Sequence, residues 1–426
     1  MLVLGAGPKA AAIAAKSFIL NDLGHEAPEV FVVERYEKCA NWTGRHGFTN
    51  GDQILGTPPE KDIGFPYLVD PGDSKVTKAL FSRFSWTSYL IKHSRYGEWI
   101  DRGRPHPAHK EWAEYLDWVL SQTTADRYIP GRLDRLELDG EEWIAHFIRE
   151  DGKPLPTHRF SGVVITGPGA RKPPPFPVDE SPMILYGDTF WRDCTSRLEQ
   201  RVRKARKEIL PIVVVGGGET AAAIVGYLVD RVGEETPILV LTRSGAIFSR
   251  GESYYENRRF TGERDDWRKL PEKVRREVID RADRGVFSVD AMRKLSTALN
   301  VNHEFRKVEA LRVEDDRVVI NPDSDRTECQ MLIWALGFDP YWFIDLLPKE
   351  IADRLNNLVK SKKPSKDWAA RNRAIEARIE YDLSLARSLV PAKLFVPMIS
   401  GYKEGPGFPN LSCLGDLSDR ILGRRR

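Results

Sequence analysis

Two glycine-rich turns limit what this chain can fold into. One, Leu2-Val3-Leu4-Gly5-Ala6-Gly7-Pro8-Lys9-Ala10, stands at the start, and the other, Val213-Val214-Val215-Gly216-Gly217-Gly218-Glu219-Thr220-Ala221, near the middle. Each follows a short Val/Leu run and opens an Ala-rich stretch, the strand-turn-helix setting in which backbone N–H groups cradle a pyrophosphate. The first glycine permits the tight turn and the second lets backbone approach the phosphates. The helix N-terminus adds unpaired donors and positive dipole. A lone Gly-x-Gly is often an ordinary turn. An ordered pair predicts an α/β protein with two Rossmann-like dinucleotide-binding domains.

The positions that read the nucleotide differ between the two units. In the first, Val30-Phe31-Val32-Val33 ends in Glu34, whose carboxylate suits a ribose hydroxyl. In the second, Pro237-Ile238-Leu239-Val240-Leu241-Thr242 runs into Arg243-Ser244. Arginine plus hydroxyl suits a 2'-phosphate, so NADP is expected there rather than NAD, the alternative being that Arg243 is a solvated surface arginine.

At 426 residues the chain exceeds what one core usually organises, and two or three domains are expected. Its 65 basic and 62 acidic residues balance to a net charge of +3, which argues against a nucleic-acid partner. No apolar run approaches a membrane span. The chain opens directly in a strand, so no signal peptide is expected, and the short Leu2-Val3-Leu4 run suggests a native start a few residues earlier. Cys39, Cys194, Cys329 and Cys413 stand far apart, which fits a reducing cytoplasm and argues against a disulfide reductase. The eight histidines show no zinc-ligand spacing, and no metal site is expected.

Between the turns, Asn41-Trp42 to Phe65-Pro66-Tyr67 reads as a long irregular loop, and such loops are usually functional. A helical stretch is expected from Ser85 toward Leu120, broken at Pro105-His106-Pro107, with Trp112, Tyr115, Trp118 and Val119 as a core stripe. Two strand-like runs with small-residue exits, Ser161 to Gly169 and Met331 to Phe338, mark where a nested domain leaves and rejoins its host. The expected organisation is a first dinucleotide-binding domain over 1–169, an NADP-binding domain over 205–330 with a small, mostly helical region around 250–300, and a return to the first domain over 331–426; the resemblance below makes these the FAD domain, the NADPH domain and the substrate region. That return carries a helical segment, 345–390, expected to be largely solvated. The basic end Arg424-Arg425-Arg426 reads as a solvated terminus.

Several non-glycine motifs occur in a specific order. They are Asn41-Trp42, Leu55-Gly56-Thr57-Pro58-Pro59-Glu60-Lys61-Asp62-Ile63-Gly64-Phe65-Pro66-Tyr67, Asp283-Arg284-Gly285-Val286-Phe287-Ser288 and Gly405-Pro406-Gly407-Phe408-Pro409-Asn410-Leu411-Ser412-Cys413-Leu414-Gly415. With the two turns, this order resembles the flavin-dependent N-hydroxylating monooxygenases, and within them the mycobactin- and nocobactin-type lysine N6-monooxygenases. The resemblance runs nearly end to end. It implies that Gly5, Gly7, Pro8, Glu34, Trp42 and Gln53 serve FAD, and that Gly216, Gly218, Glu219, Thr220 and Arg243 serve NADPH. Lys61 matches the lysine that pairs with the substrate's α-carboxylate, Asn257 the asparagine that holds its backbone, and Ser412 a serine near flavin and substrate. Asp283 falls where the ornithine branch has a second asparagine, which leaves that contact open.

The resemblance further implies that no protein side chain performs the central chemistry: NADPH reduces the flavin, reduced flavin traps O2 as a C4a-hydroperoxide, and the side-chain amine of L-lysine attacks the distal oxygen. It implies a homo-oligomer, dimer or tetramer, and a role in siderophore or related hydroxylamine biosynthesis. Lysine and ornithine differ by one methylene, worth about 1–3 kcal/mol of discrimination. Ornithine or another primary amine therefore stays an alternative substrate. A Baeyer-Villiger or sulfide-oxidising monooxygenase would share both turns without needing a clamp for an amino-acid carboxylate, and a nucleotide-sensing protein would keep the folds without turnover.

Overall fold

The computed structural model describes residues 1–67, 74–192, 198, 209–261, 266–359 and 364–423. Cys194, residues 205–208 and the Arg424-Arg425-Arg426 end lie outside the described residues. Two five-stranded parallel sheets organise the rest. In the first, the order across the sheet is Lys393–Phe395, Gly162–Ile165, Leu2–Leu4, Phe31–Glu34 and Tyr128–Pro130. In the second it is Val301–Phe305, Ile238–Thr242, Ile212–Val215, Met331–Trp334 and Ile184–Tyr186.

The apolar runs explain this architecture. A parallel strand covered on both faces must be hydrophobic throughout, and Leu2–Leu4, Gly162–Ile165 and Ile212–Val215 are buried at every position. Each turn then feeds a helix, Pro8–Asp22 and Glu219–Arg231, whose small residues Ala10, Ala11, Ala221 and Ala222 are at most 1% exposed. Alanine lets the helix lie close to the sheet, so the turn between them stays tight.

The stretch after Ser85 folds into helices Trp86–Lys92, Tyr96–Asp101 and His109–Thr123, with Trp112, Tyr115 and Val119 fully buried. Among the described residues of 250–300 there are four short helices, Tyr254–Phe260, Asp266–Lys269, Glu272–Ala282 and Val289–Leu295. They reach across to the C-terminal part of the chain, where Arg276 pairs with Glu376 at 2.8 Å and Arg275 donates to the carbonyl of Lys403 at 3.1 Å.

Three expectations change. Met331–Trp334 does not begin the return to the first sheet; it pairs beside Ile212–Val215, and the first sheet regains the chain only at Lys393–Phe395. Among the described residues of 345–390, the α-helices are Lys349–Asn356 and Pro364–Glu376, and a 3-10 turn, Trp342–Leu346, runs into its start. The segment is not largely solvated, because Ile351, Leu355, Ile375, Ile379 and Leu385 pack into the core beside the first sheet. Two antiparallel three-stranded sheets were also not expected: Arg132–Asp139, Glu142–Ile148 and His158–Phe160, and Leu311–Val313, Val318–Ile320 and Thr327–Cys329.

Candidate active site

The first turn opens a cavity of about 310 Å³ lined by Gly5, Gly7, Pro8, Glu34 and Trp42, together with Lys9, Thr166, Asn410 and Leu411. Gly5 holds φ +95°, and a side chain there would also crowd Thr166 Oγ1 at 2.9 Å. Gly7 caps helix Pro8–Asp22 without any side-chain hydrogen bond, and nothing lies within 4 Å of where its Cβ would be. The free helix N-terminus and the open space beside it fit a pyrophosphate. The Glu34 carboxylate accepts from Ala6 N at 3.1 Å and Tyr36 N at 3.2 Å, which aims it along the turn.

Trp42 and Gln53 are connected through His109. The imidazole meets the Trp42 ring edge-on, centroids 4.7 Å apart, and the backbone N–H of His109 donates to the carbonyl of Gln53 at 2.8 Å. Burial pushes His109 down to about 4, so the ring is neutral and packs as an apolar surface. Gln53 does not line the cavity, but its Nε2 is buried without a hydrogen-bond partner, while its Oε1 accepts from Asn50 N at 3.1 Å.

The second turn repeats the geometry. Gly216 adopts φ +148°, and a Cβ there would overlap the carbonyl oxygen of Ala335. Gly218 caps helix Glu219–Arg231 without a side-chain bond, again with nothing within 4 Å of its missing Cβ. Thr220 packs its methyl toward Gly187, where a Cβ would come within 2.6 Å. Glu219 heads the helix, and burial pushes its carboxyl from 4.5 up to about 7, against the helix dipole that favours its ionised form. Arg243 is exposed just past strand Ile238–Thr242.

The remaining four residues form two pairings, the second of them through the C-terminal segment. Lys61 Nζ donates to Asn257 Oδ1 at 2.9 Å although the two are 196 residues apart in sequence. Asn257 in turn donates from Nδ2 to the carbonyl of Glu252 at 2.8 Å, which fixes the amide's orientation. Burial first, and then the nearby Arg250 guanidinium, lower the Lys61 ammonium from its ordinary value. Ser412 is 1% exposed, its N–H donating to Asn410 Oδ1 at 2.8 Å. Asp283 Oδ1 accepts from Asn410 Nδ2 at 3.3 Å. The chain therefore brings Lys61 to Asn257 and Ser412 to Asp283 by way of Asn410.

Asp62 shows how the Lys61 loop is held. It is 2% exposed; Oδ1 accepts from Gly64 N at 3.1 Å and Tyr67 OH at 2.7 Å, and Oδ2 from Trp86 N at 2.9 Å. Burial outweighs these three donors and pushes the carboxyl from 3.8 up to about 7. The folded protein thus binds this proton more tightly than the unfolded chain does. Stability from Asp62 is complete below about pH 4 and is lost as pH rises through about 7. Asp62→Asn cannot ionise, so from about pH 5 to about pH 7 the native protein loses stability relative to the variant by up to about 1.4 kcal/mol per pH unit. Urea midpoints across that range check it, and parallel pH curves for the two proteins would refute the assignment.

Sequence reasoning did not assign Lys9, Asn410, Arg250 or Gly407 to the site. Lys9 and Asn410 were visible as members of motifs. The signal absent from the sequence was their contact with each other.

A family model described as L-lysine 6-monooxygenase/L-ornithine 5-monooxygenase matches residues 77–336. The L-lysine N6-monooxygenase MbtG of Mycolicibacterium paratuberculosis is 36% identical over 434 residues, covering 99% of this chain and 95% of its own. The solved structure of lysine monooxygenase NbtG from Nocardia farcinica aligns with a TM-score of 0.77 at 36% identity, over 100% of this chain and 99% of that one. An ornithine N-hydroxylase of Kutzneria sp. 744, KtzI, solved with reduced FAD, NADP+ and L-ornithine, shares the fold with a TM-score of 0.75 at 17% identity, over 99% and 97%.

Proposed function

Because this chain belongs to the L-lysine 6-monooxygenase/L-ornithine 5-monooxygenase family, we propose that it hydroxylates the side-chain amine of L-lysine at N6, using FAD, NADPH and O2. The balanced reaction is R-NH2 + O2 + NADPH + H+ giving R-NHOH + H2O + NADP+. One oxygen atom enters the amine, and the other leaves as water with the electron pair of NADPH. FAD, when bound, supplies hydride acceptance and oxygen activation.

The protein's part is to bind, orient and exclude water. Gly5, Gly7, Pro8 and Glu34 would hold the FAD pyrophosphate and ribose, with Trp42 against the rest of the cofactor and Gln53, whose Oε1 accepts from Thr49 and from Asn50 N at 3.1 Å, offering its unpaired Nε2 behind that ring. Gly216, Gly218, Glu219 and Thr220 would hold NADPH, and exposed Arg243 would read its 2'-phosphate. Lys61 and Asn257 would clamp the amino-acid end of the substrate, while Ser412 and Asp283 flank it. The substrate amine must be neutral to act as nucleophile, although a free lysine side chain has a pKa of about 10.4, and burial lowers that value. Buried Ser412 and Cys413, both 1% exposed, provide a water-poor wall for this.

The observation that carries this reading is the 2.9 Å Lys61–Asn257 pair, assembled from a loop and a helix 196 residues apart, with Cys413 of the segment that also walls the cofactor cavity nearby. A dinucleotide reductase has no use for such a clamp. The reading includes a cytoplasmic homo-oligomer, dimer or tetramer, and a product destined for a siderophore or related hydroxylamine compound. The free thiols of Cys39, Cys329 and Cys413 support a reducing compartment. No described helix is long and apolar enough to cross a membrane.

The decisive assay measures hydroxylamine formed with FAD, NADPH and O2 from L-lysine, L-ornithine, cadaverine and L-aspartate. L-Lysine is expected to give the highest kcat/KM. Consumption of NADPH with peroxide as the sole product from every amine would overturn the assignment.

A further inference from the structure

Lys9 occupies an unusual place for a lysine. It stands in the first turn of helix Pro8–Asp22, where the dipole and the free N–H groups already present positive charge, yet it is 7% exposed. None of its described contacts is a carboxylate. Instead Nζ donates to the backbone carbonyls of Pro409 at 2.9 Å and Asn410 at 3.3 Å, the latter 401 residues away in sequence. Burial pushes the ammonium down to about 8, so it is still mostly charged at neutral pH. Nothing in folding this helix calls for a cation here, because alanine would satisfy both the propensity and the packing.

Asn410 extends the connection on its other side. Its Nδ2 donates to Asp283 Oδ1 at 3.3 Å and to the carbonyl of Pro406 at 3.0 Å, and its Oδ1 accepts from Ser412 N at 2.8 Å. Asp283 follows helix Glu272–Ala282 and faces the Arg250 guanidinium at 3.9 Å. One continuous path of polar contacts therefore runs from the helix of the first glycine turn, through the C-terminal segment, to the helical region of the second nucleotide unit. Lys9, Pro409, Asn410 and Leu411 all line the cavity that holds Gly5 and Trp42.

We propose that Lys9 and Asn410 are positioning residues for N-hydroxylation, forming a buried strut that sets the C-terminal segment and Asp283 in register with the first glycine turn. This rests on the N-hydroxylase reading above. Without the strut, the Pro406–Ser412 segment loses its anchor to the flavin helix while the turn itself stays intact. Reduction of the cofactor then continues, and delivery of oxygen to the amine suffers.

The test compares FAD-loaded native enzyme with Lys9→Met, Asn410→Ala and the double variant. With FAD saturating and flavin content matched by the visible spectrum, hydroxylamine formed per NADPH oxidised is expected to fall about tenfold in each single variant, as for loss of hydrogen bonds involving a charged group. The double variant should be no worse than either single one, because both cut the same path. Hydrogen exchange read across residues 401–413 should quicken in both single variants and stay unchanged in the helix bearing Lys9. Unchanged exchange in that segment would overturn the strut, whatever the enzyme's product. So would a fall in coupling that merely follows FAD loss. If native enzyme hydroxylates no amine yet exchange quickens as expected, the functional reading fails and the strut stands.

Discussion

In Lys61→Ala the apparent KM for L-lysine rises about a hundredfold, equivalent to about 2.7 kcal/mol, because truncating one partner of a buried charge pair costs about 2–5 kcal/mol. The native geometry explains why the loss is that large. Lys61 Nζ is already aimed, donating to Asn257 Oδ1 at 2.9 Å and sitting 5.6 Å from the centre of the Phe65 ring. Its ammonium is partly desolvated and lies near Arg250, which lowers its pKa, so an arriving carboxylate restores a partner that water no longer supplies. Binding is therefore coupled to the charge of Lys61. The variant keeps FAD, because Lys61 does not line the cavity at the first turn. Steady-state hydroxylamine assays beside the visible flavin spectrum check this. An unchanged KM in a protein that keeps its flavin would remove Lys61 from the clamp.

What could be read in the sequence, and what could not, follows from the range of each interaction. The glycine turns were legible because their backbone conformation is local: Gly5 at φ +95° and Gly216 at φ +148° stand between the strand before and the helix after, whereas the close approaches of Thr166 and Ala335 to them are tertiary and left no mark. The parallel sheets followed from runs such as Val213-Val214-Val215, buried on both faces. The sheet of Glu142–Ile148 also left a signal, the alternation of buried Trp143, Ala145 and Phe147, which a reading centred on helices passed over. Composition misled over 345–390, where many charges concealed the buried pair Ile351 and Leu355, spaced four apart on one helix face. Lys61 and Asn257 were legible only by resemblance, since a loop lysine and a helical asparagine carry no local mark. Contacts such as Lys9 to Asn410 depend wholly on tertiary folding, and no periodicity announces them.

Gly407→Ala is expected to damage the amine site more than any other one-carbon change at the segment. A Cβ at Gly407 would overlap the backbone carbonyl oxygen of Phe260 and stand 2.8 Å from Cys413 Sγ. Phe260 ends helix Tyr254–Phe260, which carries Asn257, so relief of the overlap pushes Asn257 away from the C-terminal segment. A carbonyl cannot rotate aside as a flexible side chain can. Overpacking of this kind costs about 1–3 kcal/mol, which outweighs the about 0.4–1 kcal/mol that alanine gains over glycine through the unfolded chain. The variant should melt at lower temperature and show a KM for L-lysine raised about tenfold, with FAD retained. Gly97→Ala is the matched control, since Gly97 lies within helix Tyr96–Asp101 and its Cβ would meet nothing within 4 Å. There the same added methyl should be neutral or stabilising by up to about 1 kcal/mol. If both alanines behave alike in melting and kinetics, the close approach of Gly407 to Phe260 does not shape the site.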